Sequence, residues 1–235
     1  MDVVKLIGTI PGFKPVLRTI FKKQYYARIQ RQEEKRRESF KNNCMEAVSR
    51  FHKCMTENGF NYVAAYGTML GAIREHGFIK HDLDLDFWMW IEDDTCDLVS
   101  ALERCGFKPY AHYSIDNDKL GKELTFVYNG CHIDIFFIYP AINVCPYSTL
   151  FLKNNGKKSQ YYTPLRVELP VARTKRLVPF ESINLYVPYN AEELCALRYG
   201  PDYMTPNPAW DWRKSTESVV DWEEMISVTT VKHFK

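Results

Sequence analysis

Three aspartates alternate with two leucines in the segment Asp82–Asp86, and the spacing of these carboxylates suggests chemistry directly. Alternate side chains of a β-strand project from the same face, so Asp82, Asp84 and Asp86 are expected to crowd together. Like charges at that spacing repel, and a divalent cation with hard oxygen ligands relieves the repulsion. We therefore predict a site for Mg²⁺ or Mn²⁺. A solvated polar strand face explains a bare Asp-x-Asp pattern about equally well.

Two other features favour the metal site over the solvated face. Gly67 and Thr68 follow a short apolar strand predicted at Tyr62–Tyr66 and open a helix, where backbone N–H groups and a hydroxyl can hold phosphate. Asp134 lies within the strongly β-forming segment Cys131–Tyr139, where a carboxylate is costly unless it is paired or metal-bound. This order of strand, Gly-Thr turn, paired aspartates and later aspartate is typical of a nucleotidyltransferase fold.

The elements that must position these residues are predicted to form a mixed α/β (α+β) core behind a helical N-terminus. Helical spacing of apolar residues begins at Phe13, and a second helix is predicted over Ser39–Glu57. Asn129-Gly130 predicts a hairpin between strands at Leu124–Tyr128 and Cys131–Tyr139. The remaining predictions are helices at Met69–Arg74, Asp94–Cys105 and Ala191–Arg198 and strands at Leu177–Val178 and Ile183–Val187. Irregular structure is predicted over Ala141–Tyr162, with a turn at Asn154–Gly156.

Length and charge suggest one domain with a small appendage. The chain has 235 residues, of which 46% are hydrophobic and 26% charged, so wholesale disorder is excluded. We predict a basic amphipathic helical segment over 1–38 and a catalytic domain over 39–235. The segment has two interpretations: contact with an anionic membrane surface, or packing on the domain or a second subunit. The net charge of +2 gives no reason to expect a nucleic-acid partner.

Cysteine usage and hydropathy indicate a cytoplasmic protein. Any contact with a membrane is expected to be peripheral and at the inner face of that membrane. The seven cysteines are odd in number, show no Cys-x-x-Cys pair and are expected to be thiols in a reducing compartment. The apolar stretch Val3–Ile10 is too short for a membrane helix and makes a poor signal peptide.

The ordered motifs resemble the LicD/fukutin-type family. The resemblance is carried by Tyr66–Arg74, Gly77–Ile79 and Asp82–Asp86, followed by the closing motif over Phe180–Pro188, Leu197–Gly200 and Met204–Pro206. The chain departs from the family pattern at Lys80-His81, where Pro-Trp is common, and at Leu83, where a further Asp is frequent. The alternating aspartates are unaffected by these departures.

The resemblance implies a nucleotidyltransferase-like mixed sheet flanked by helices and a defined reaction. A phospho-alcohol would move from a CDP-activated donor to a hydroxyl of a cell-surface glycan or glycolipid. Phosphocholine, glycerol phosphate and ribitol phosphate are the groups that the family suggests. Bacterial members decorate lipopolysaccharide, teichoic acid or capsule, so the implied partners are a CDP-alcohol and a glycan or lipid-linked glycan.

The resemblance also implies roles for the acidic residues. Asp84 and Asp86 are the expected metal ligands, with Asp134 as the third carboxylate. Asp134 is also a candidate for the base that takes the proton of the acceptor hydroxyl. Asp82 is expected to be a further ligand or a support for the other three.

Donor binding is expected from basic residues and the Gly-Thr turn. Gly67, Thr68 and Arg74 would hold phosphate, although a structural salt bridge explains Arg74 about as well. The basic cluster, defined as Arg173, Lys175 and Arg176, could reach a pyrophosphate or simply form a solvated charge run. His81 and His132 are expected to orient neighbours or pack in the core. An aromatic cage for choline is conceivable among Trp88, Trp90, Trp210, Trp212 and Trp222, but core packing explains Trp88 and Trp90 at least as well.

Two other function classes stay open from the sequence. The Gly-Thr and Asp-x-Asp elements would equally serve a nucleotidyltransferase that moves NMP to a nucleic acid, a protein or an antibiotic. The Leu-Gly-Ala-Ile-Arg and Gly-Phe-Ile extensions favour phospho-alcohol transfer. A non-enzymatic, metal-stabilised scaffold is the third hypothesis, and the density of candidate carboxylates weighs against it.

Overall fold

The computed structural model describes residues 13–141, 145–153, 162–211, 219–221 and 229–234. Its helices are α1 (Phe13–Glu57), α2 (Tyr66–Arg74), α3 (Leu98–Arg104) and α4 (Ala191–Tyr199), with a 3-10 turn at Ile91–Asp93. Its strands are β1 (Tyr62–Ala64), β2 (Asp84–Trp90), β3 (Lys108–Ile115), β4 (Gly121–Tyr128), β5 (Cys131–Ile138), β6 (Tyr147–Lys153), β7 (Tyr162–Glu168), β8 (Lys175–Phe180), β9 (Ile183–Pro188), β10 (Val219–Asp221) and β11 (Thr229–His233).

The N-terminal region forms one helix, α1, and the prediction of two helices was wrong. The charged run 31–38 consists of strong helix formers, and no glycine or proline follows Val16 within α1, so nothing stops the helix. The division of the chain at residue 38 stays a prediction, since α1 passes through it unbroken. Residues 24–38 are exposed apart from the half-buried Ile29. Among the described helices, none combines the length and apolar character needed to cross a membrane.

The central sheet is mixed, as predicted. Six strands lie in the order β1-β2-β5-β4-β3-β11, with β2 and β5 parallel and every other neighbouring pair antiparallel. The hairpin at Asn129-Gly130 is confirmed, and both residues have positive φ (47° and 83°), as a tight turn of this kind requires.

Strand alternation gives the first half of β2 an apolar side and a carboxylate side. Leu85 and Phe87 of β2 are buried, and the Phe87 ring stacks on Phe51 of α1 with centroids 4.2 Å apart. This packing fixes the strand so that Asp84 and Asp86 project from the opposite face. The packing of Leu85 and Phe87 therefore determines the direction in which the carboxylates of Asp84 and Asp86 project.

Two predictions about loops and strands were wrong. The segment predicted as irregular contains β6, which pairs with β7 in a second, three-stranded sheet. Strand β3 was not predicted, and its pairing with β4 is interrupted by a register shift between Pro109 and Ala111. The predicted turn at Asn154–Gly156 lies outside the described residues.

The cysteines are not all thiols. Cys54 of α1 and Cys105, just after α3, form a disulfide across 51 residues of sequence. The prediction of free thiols was wrong for this pair, because pairing between distant elements leaves no local spacing to detect. Cys44, Cys96, Cys131, Cys145 and Cys195 are free. The cytoplasmic location stays a prediction.

Candidate functional site

A cavity of about 640 Å³ lies over the carboxylate side of β2 and its neighbouring strands. Five carboxylate residues line it: Asp82, Asp84, Asp86, Glu123 and Asp134. The basic residues among its described lining are Arg74, His81 and Arg198, and the aromatic ones are Tyr66, Phe136, Phe151, Tyr199, Tyr203 and Trp210. All four aspartates singled out from the sequence thus reach one cavity.

The parallel pairing of β2 and β5 brings distant carboxylates together. Asp86 lies in register with Asp134 on the neighbouring strand. On the other side of β5, Thr125 of β4 lies in register with Asp134 and donates its hydroxyl to Asp134 Oδ1 at 2.6 Å. That hydrogen bond fixes the rotamer of Asp134 and leaves its second oxygen available to a ligand.

Gly67 allows the carboxylates to approach the start of α2. A Cβ at Gly67 would lie 2.0 Å from Asp82 Oδ2 and 3.7 Å from Asp86 Oδ2. Tyr66, the first residue of α2, has a φ of +37°, which sharpens the turn from β1 into the helix. Only a residue without a side chain leaves room for Asp82 in this position, so Gly67 is part of the cavity wall.

Thr68 holds β2 in place from inside the protein. Its hydroxyl accepts a hydrogen bond from the Asp86 backbone N–H at 2.8 Å, and the side chain is buried. Thr68 is absent from the described lining of the cavity, whereas Gly67 belongs to it. The two residues of the Gly-Thr turn therefore have different surroundings, one facing the cavity and the other fixing the backbone of Asp86.

Burial and mutual repulsion raise the pKa values of the clustered carboxyls. Burial, followed by the charge of Asp84, raises the pKa of Asp82 to about 8. Burial and the charges of Asp84, Asp82 and Asp134 hold the pKa of Asp86 well above its usual range. Burial raises the pKa of Asp134 to about 7 despite the opposing hydrogen bond from Thr125. The cluster therefore favours either protons or a cation.

The chemistry of these oxygens fits Mg²⁺ or Mn²⁺. Within the described residues, no three acidic, histidine or cysteine side chains already form a group that would hold a metal ion. Mg²⁺ typically uses one or two carboxylates and completes its shell with water and substrate phosphates, so a preformed cage is not required. Asp84 and Asp86 on one strand, with Asp134 beside them, provide the necessary ligand type.

Asp84 is paired with a residue that the sequence did not nominate for the site. Arg36 of α1 donates Nη2 to Asp84 Oδ2 at 2.8 Å and to the Leu83 carbonyl at 3.4 Å. Both partners are partly exposed, at 42% and 33%, so the ion pair is accessible to solvent and to competing cations. Metal binding by Asp84 would bring a second cation close to the Arg36 guanidinium, because Oδ2 accepts from Arg36 and Oδ1 is the other oxygen of the same carboxylate.

The structure separates the basic residues nominated for donor binding. Arg74 lines the cavity and donates to Glu75 Oε1 at 2.8 Å and to the Tyr203 carbonyl at 3.1 Å. The basic cluster lies elsewhere, since none of its members is among the described cavity-lining residues. Arg173 pairs with Glu92, and Arg176 pairs with Glu192. Lys175 lies 4.3 Å from the Tyr186 ring centroid.

Sequence reasoning missed Glu123 and Arg198 as cavity residues. Glu123 is buried, and burial together with the Asp134 charge holds its pKa well above its usual range. Its strand was predicted to begin one residue later, at Leu124. Arg198 stood at the end of the predicted helix Ala191–Arg198 and within the closing motif Leu197–Gly200, but it was given no role in the site.

The histidines and tryptophans divide between the cavity and other positions. His81 lines the cavity, whereas His132 lies against the Tyr110 ring with centroids 5.1 Å apart. Trp88 and Trp90 are core residues. Trp210 lines the cavity, and Trp212 and Trp222 lie outside the described residues.

Comparison with known proteins gives the family. The model of the family described as LicD/FKTN/FKRP, nucleotidyltransferase domain, matches residues 59–190, more than half of the chain. The chain belongs to this family. The match spans β1 to β9 and includes the four aspartates, whereas Arg36 and Arg198 lie outside it.

Several curated proteins are similar to this LicD-family chain. The mouse (Mus musculus) protein named Ribitol-5-phosphate transferase FKTN is 25% identical over 198 residues, which cover 80% of this chain and 41% of that protein. The human (Homo sapiens) protein of that name is 24% identical over 199 residues, covering 81% and 41%. An uncharacterized protein of Rickettsia prowazekii (strain Madrid E) is 28% identical over 143 residues, covering 58% and 46%. The matched part of this chain thus spans less than half the length of these relatives.

Proposed function

We propose that this chain transfers a phospho-alcohol group from a CDP-activated donor to a hydroxyl of a cell-surface glycan or glycolipid, with Mg²⁺ or Mn²⁺ as cofactor. The observation that carries the proposal is the convergence of Asp82, Asp84, Asp86 and Asp134 on one cavity beside Gly67 in a LicD-family chain. Among phosphocholine, glycerol phosphate and ribitol phosphate, the names of the mouse and human relatives favour ribitol phosphate.

The proposed reaction is a displacement at phosphorus. The acceptor hydroxyl oxygen bonds to the distal phosphorus of the donor, the bridging P–O bond breaks, and CMP leaves. In this proposal Asp134 receives the hydroxyl proton on one oxygen. The hydrogen bond from Thr125 to the other oxygen, Oδ1, supports that role. A bound Mg²⁺ would supply charge neutralisation at the phosphate oxygens.

The carboxylates and the Gly-Thr turn have separate proposed roles. Asp84 and Asp86 hold the metal, with Asp134 as third carboxylate and Asp82 as a further ligand or support. Gly67 gives the donor phosphate access to the turn at the start of α2. Thr68 is a positioning residue, because its hydroxyl holds the Asp86 backbone.

Calorimetric titration tests this proposal first. The protein is titrated with CDP, CMP, UDP and ADP, each with and without Mg²⁺ or Mn²⁺. Metal-dependent preference for cytidine nucleotides supports the CDP-alcohol donor and leads to CDP-ribitol, CDP-glycerol and CDP-choline as substrates. Preference for ADP or UDP would instead favour general NMP transfer, and the absence of any metal-dependent binding would favour the scaffold hypothesis.

Asp84→Asn supplies the matched test of the site. The substitution preserves the size of the side chain and removes the charge, so we expect metal affinity and CMP release from the preferred CDP-alcohol to be lost. Asp97→Asn is the control, because Asp97 is exposed and absent from the described cavity lining. Full turnover by the Asp84→Asn protein would show that the metal-ligand assignment is wrong.

A further inference from the structure

One buried carboxylate of the cavity has no part in the proposed reaction. Glu123 lines the cavity and is only 9% exposed. Among the residues that the structure describes, none donates a hydrogen bond to Glu123 or forms an ion pair with it. In contrast, Asp134 accepts from Thr125, and Asp84 accepts from Arg36. Burying a carboxyl group without a hydrogen bond costs free energy, and a ligand can supply the missing donor.

The central sheet places Glu123 beside the four aspartates rather than among them. On β4, Glu123 precedes Thr125 by two residues, and its register partner on β5, Phe136, follows Asp134 by two residues. Side chains two residues apart on a strand share a face, so Glu123 and Phe136 face the same side of the sheet as Asp134. Two residues of a strand span roughly 7 Å, so a group bound at Glu123 would lie at about that distance from Asp134. Such a group belongs to a part of the substrate next to the reacting phosphate.

Aromatic residues flank Glu123 on both neighbouring strands. Phe136 is its register partner on β5, and Tyr113 is its register partner on β3. The Tyr113 ring stacks on the Phe151 ring with centroids 5.2 Å apart, and Phe136 and Phe151 both line the cavity. The carboxyl group can hydrogen-bond to hydroxyl groups, and the negative faces of the rings attract the polarised C–H groups that carry those hydroxyls. Polyols and sugars present both kinds of group.

We propose that Glu123, together with Phe136 and Phe151, binds the hydroxyl groups of a polyol or sugar next to the transferred phosphate. The inference rests on the proposed function, because it takes the substrates to be a CDP-alcohol and a glycan. A carboxylate accepts from a hydroxyl, and a protonated carboxyl group both donates and accepts, so the binding does not depend on the protonation state of Glu123. A quaternary ammonium group also fits between aromatic rings. It carries no N–H or O–H, however, and would leave the Glu123 oxygens without a hydrogen bond.

Three variants separate this role from a general effect on the protein. Glu123→Gln keeps the size of the side chain and removes one of its two acceptor oxygens. Glu103→Gln makes the same chemical change as a control, because Glu103 of α3 is exposed and absent from the described cavity lining. Phe151→Leu removes one ring and leaves Glu123 in place, which keeps the test decisive if Glu123→Gln does not fold. Circular dichroism and thermal melting establish that each variant is folded.

Calorimetry in the presence of Mg²⁺ compares the binding of CDP, CDP-ribitol, CDP-glycerol and CDP-choline. Glu123→Gln should weaken the binding of CDP-ribitol roughly tenfold, as expected when a hydrogen bond to a charged group is lost, and Phe151→Leu should weaken it less. CDP, which has no alcohol group, should bind both variants and the wild type alike, and Glu103→Gln should match the wild type for every probe. A loss confined to CDP-choline would overturn the inference in favour of a site for a cation. Equal losses for CDP and CDP-ribitol would overturn it in favour of a role in metal or nucleotide binding.

A second measurement distinguishes the alcohol of the donor from a sugar of the acceptor. Saturation-transfer NMR detects contact of ribitol, glucose, galactose and N-acetylglucosamine with the protein, with and without CDP and Mg²⁺. If Glu123→Gln binds CDP-ribitol like the wild type but loses the sugar signals, the role of Glu123 stands and the hydroxyl groups belong to the acceptor. Unchanged results in both measurements would overturn the inference. If the wild type binds none of the CDP compounds, the proposed donor is wrong, and the NMR signals of ribitol and the sugars alone decide the role of Glu123.

Discussion

Two glycines of the same short helix should respond to the same substitution in opposite ways. Gly67 and Gly71 both lie in α2, and replacing either with alanine favours the helix by up to about 1 kcal/mol. The difference lies in what the new methyl group meets. At Gly67 the obstacle is the carboxylate of Asp82, 2.0 Å from the added Cβ, whereas at Gly71 it is the backbone carbonyl oxygen of Gly77, at 2.4 Å.

The magnitudes follow from how each obstacle can move. The Asp82 side chain can rotate away from Gly67→Ala, and that movement also relieves repulsion from Asp84, so we expect the free energy of unfolding to change by less than ~1 kcal/mol. The Gly77 carbonyl belongs to the backbone and cannot rotate independently. Overpacking there should cost roughly 1–3 kcal/mol, more than the gain in helix propensity.

The assay combines stability with site integrity. Urea unfolding gives the free energy of unfolding of both variants, and calorimetry gives their affinity for Mg²⁺ in the presence of CDP. We expect Gly67→Ala to fold normally with weakened metal-dependent binding, and Gly71→Ala to lose stability with binding retained below its unfolding transition. Wild-type stability in Gly71→Ala, or wild-type binding in Gly67→Ala, would refute the close contacts from which the prediction is derived.

Three further predictions concern pH, an ion pair and the disulfide. The native pKa values of Asp134 (about 7) and Asp82 (about 8) exceed the ordinary 3.8, so the folded protein holds protons that the unfolded chain releases. In EDTA, the free energy of unfolding should therefore fall as pH rises from about 4 to about 8, by roughly 4 kcal/mol for a carboxyl like Asp134. Adding Mg²⁺ should restore the melting temperature. A melting temperature that does not change with pH would contradict the burial of these charges. Arg36→Ala should raise the affinity for Mg²⁺ measured by calorimetry, because it removes the cation beside Asp84. It should lower the free energy of unfolding by less than ~1 kcal/mol, since the ion pair is exposed. Arg37→Ala, at an exposed neighbouring residue, is the control. Replacing Cys54 and Cys105 with serine should lower the free energy of unfolding by about 4 kcal/mol for a loop of 51 residues, measured by urea unfolding; the free, exposed Cys96→Ser should change little.

The parts of the site that were predictable from sequence depend on short-range patterns. The alternation of aspartate with leucine gave both the strand and the shared face of Asp84 and Asp86, because a strand has a period of two. Asn129-Gly130 gave the hairpin for a different short-range reason, because few residues other than Asn and Gly fit its positive φ values. The prediction that Asp134 joins Asp84 and Asp86 in one site came from the family resemblance and from its apolar neighbours in the sequence.

The parts that were not predictable depend on contacts between distant elements. Arg36 reaches Asp84 because α1 continues without a break, and the charged run 31–38 gives no sign of where the helix lies relative to the sheet. Glu123 follows Lys122 at the start of β4, so two charged residues in succession obscured the beginning of a strand. Arg198 becomes a cavity residue only when α4 packs beside α2.

The parallel pairing of β2 with β5 has a consequence for the order in which this protein folds. The β4–β5 hairpin closes locally through Asn129-Gly130 and is expected to form within microseconds. The pairing of Asp86 with Asp134, in contrast, joins strands that are separated in the sequence by α3, β3 and β4, and contacts of such long range form slowly. Metal-dependent nucleotide binding should therefore appear late in refolding, and its appearance can serve as a kinetic signal that the whole central sheet is complete.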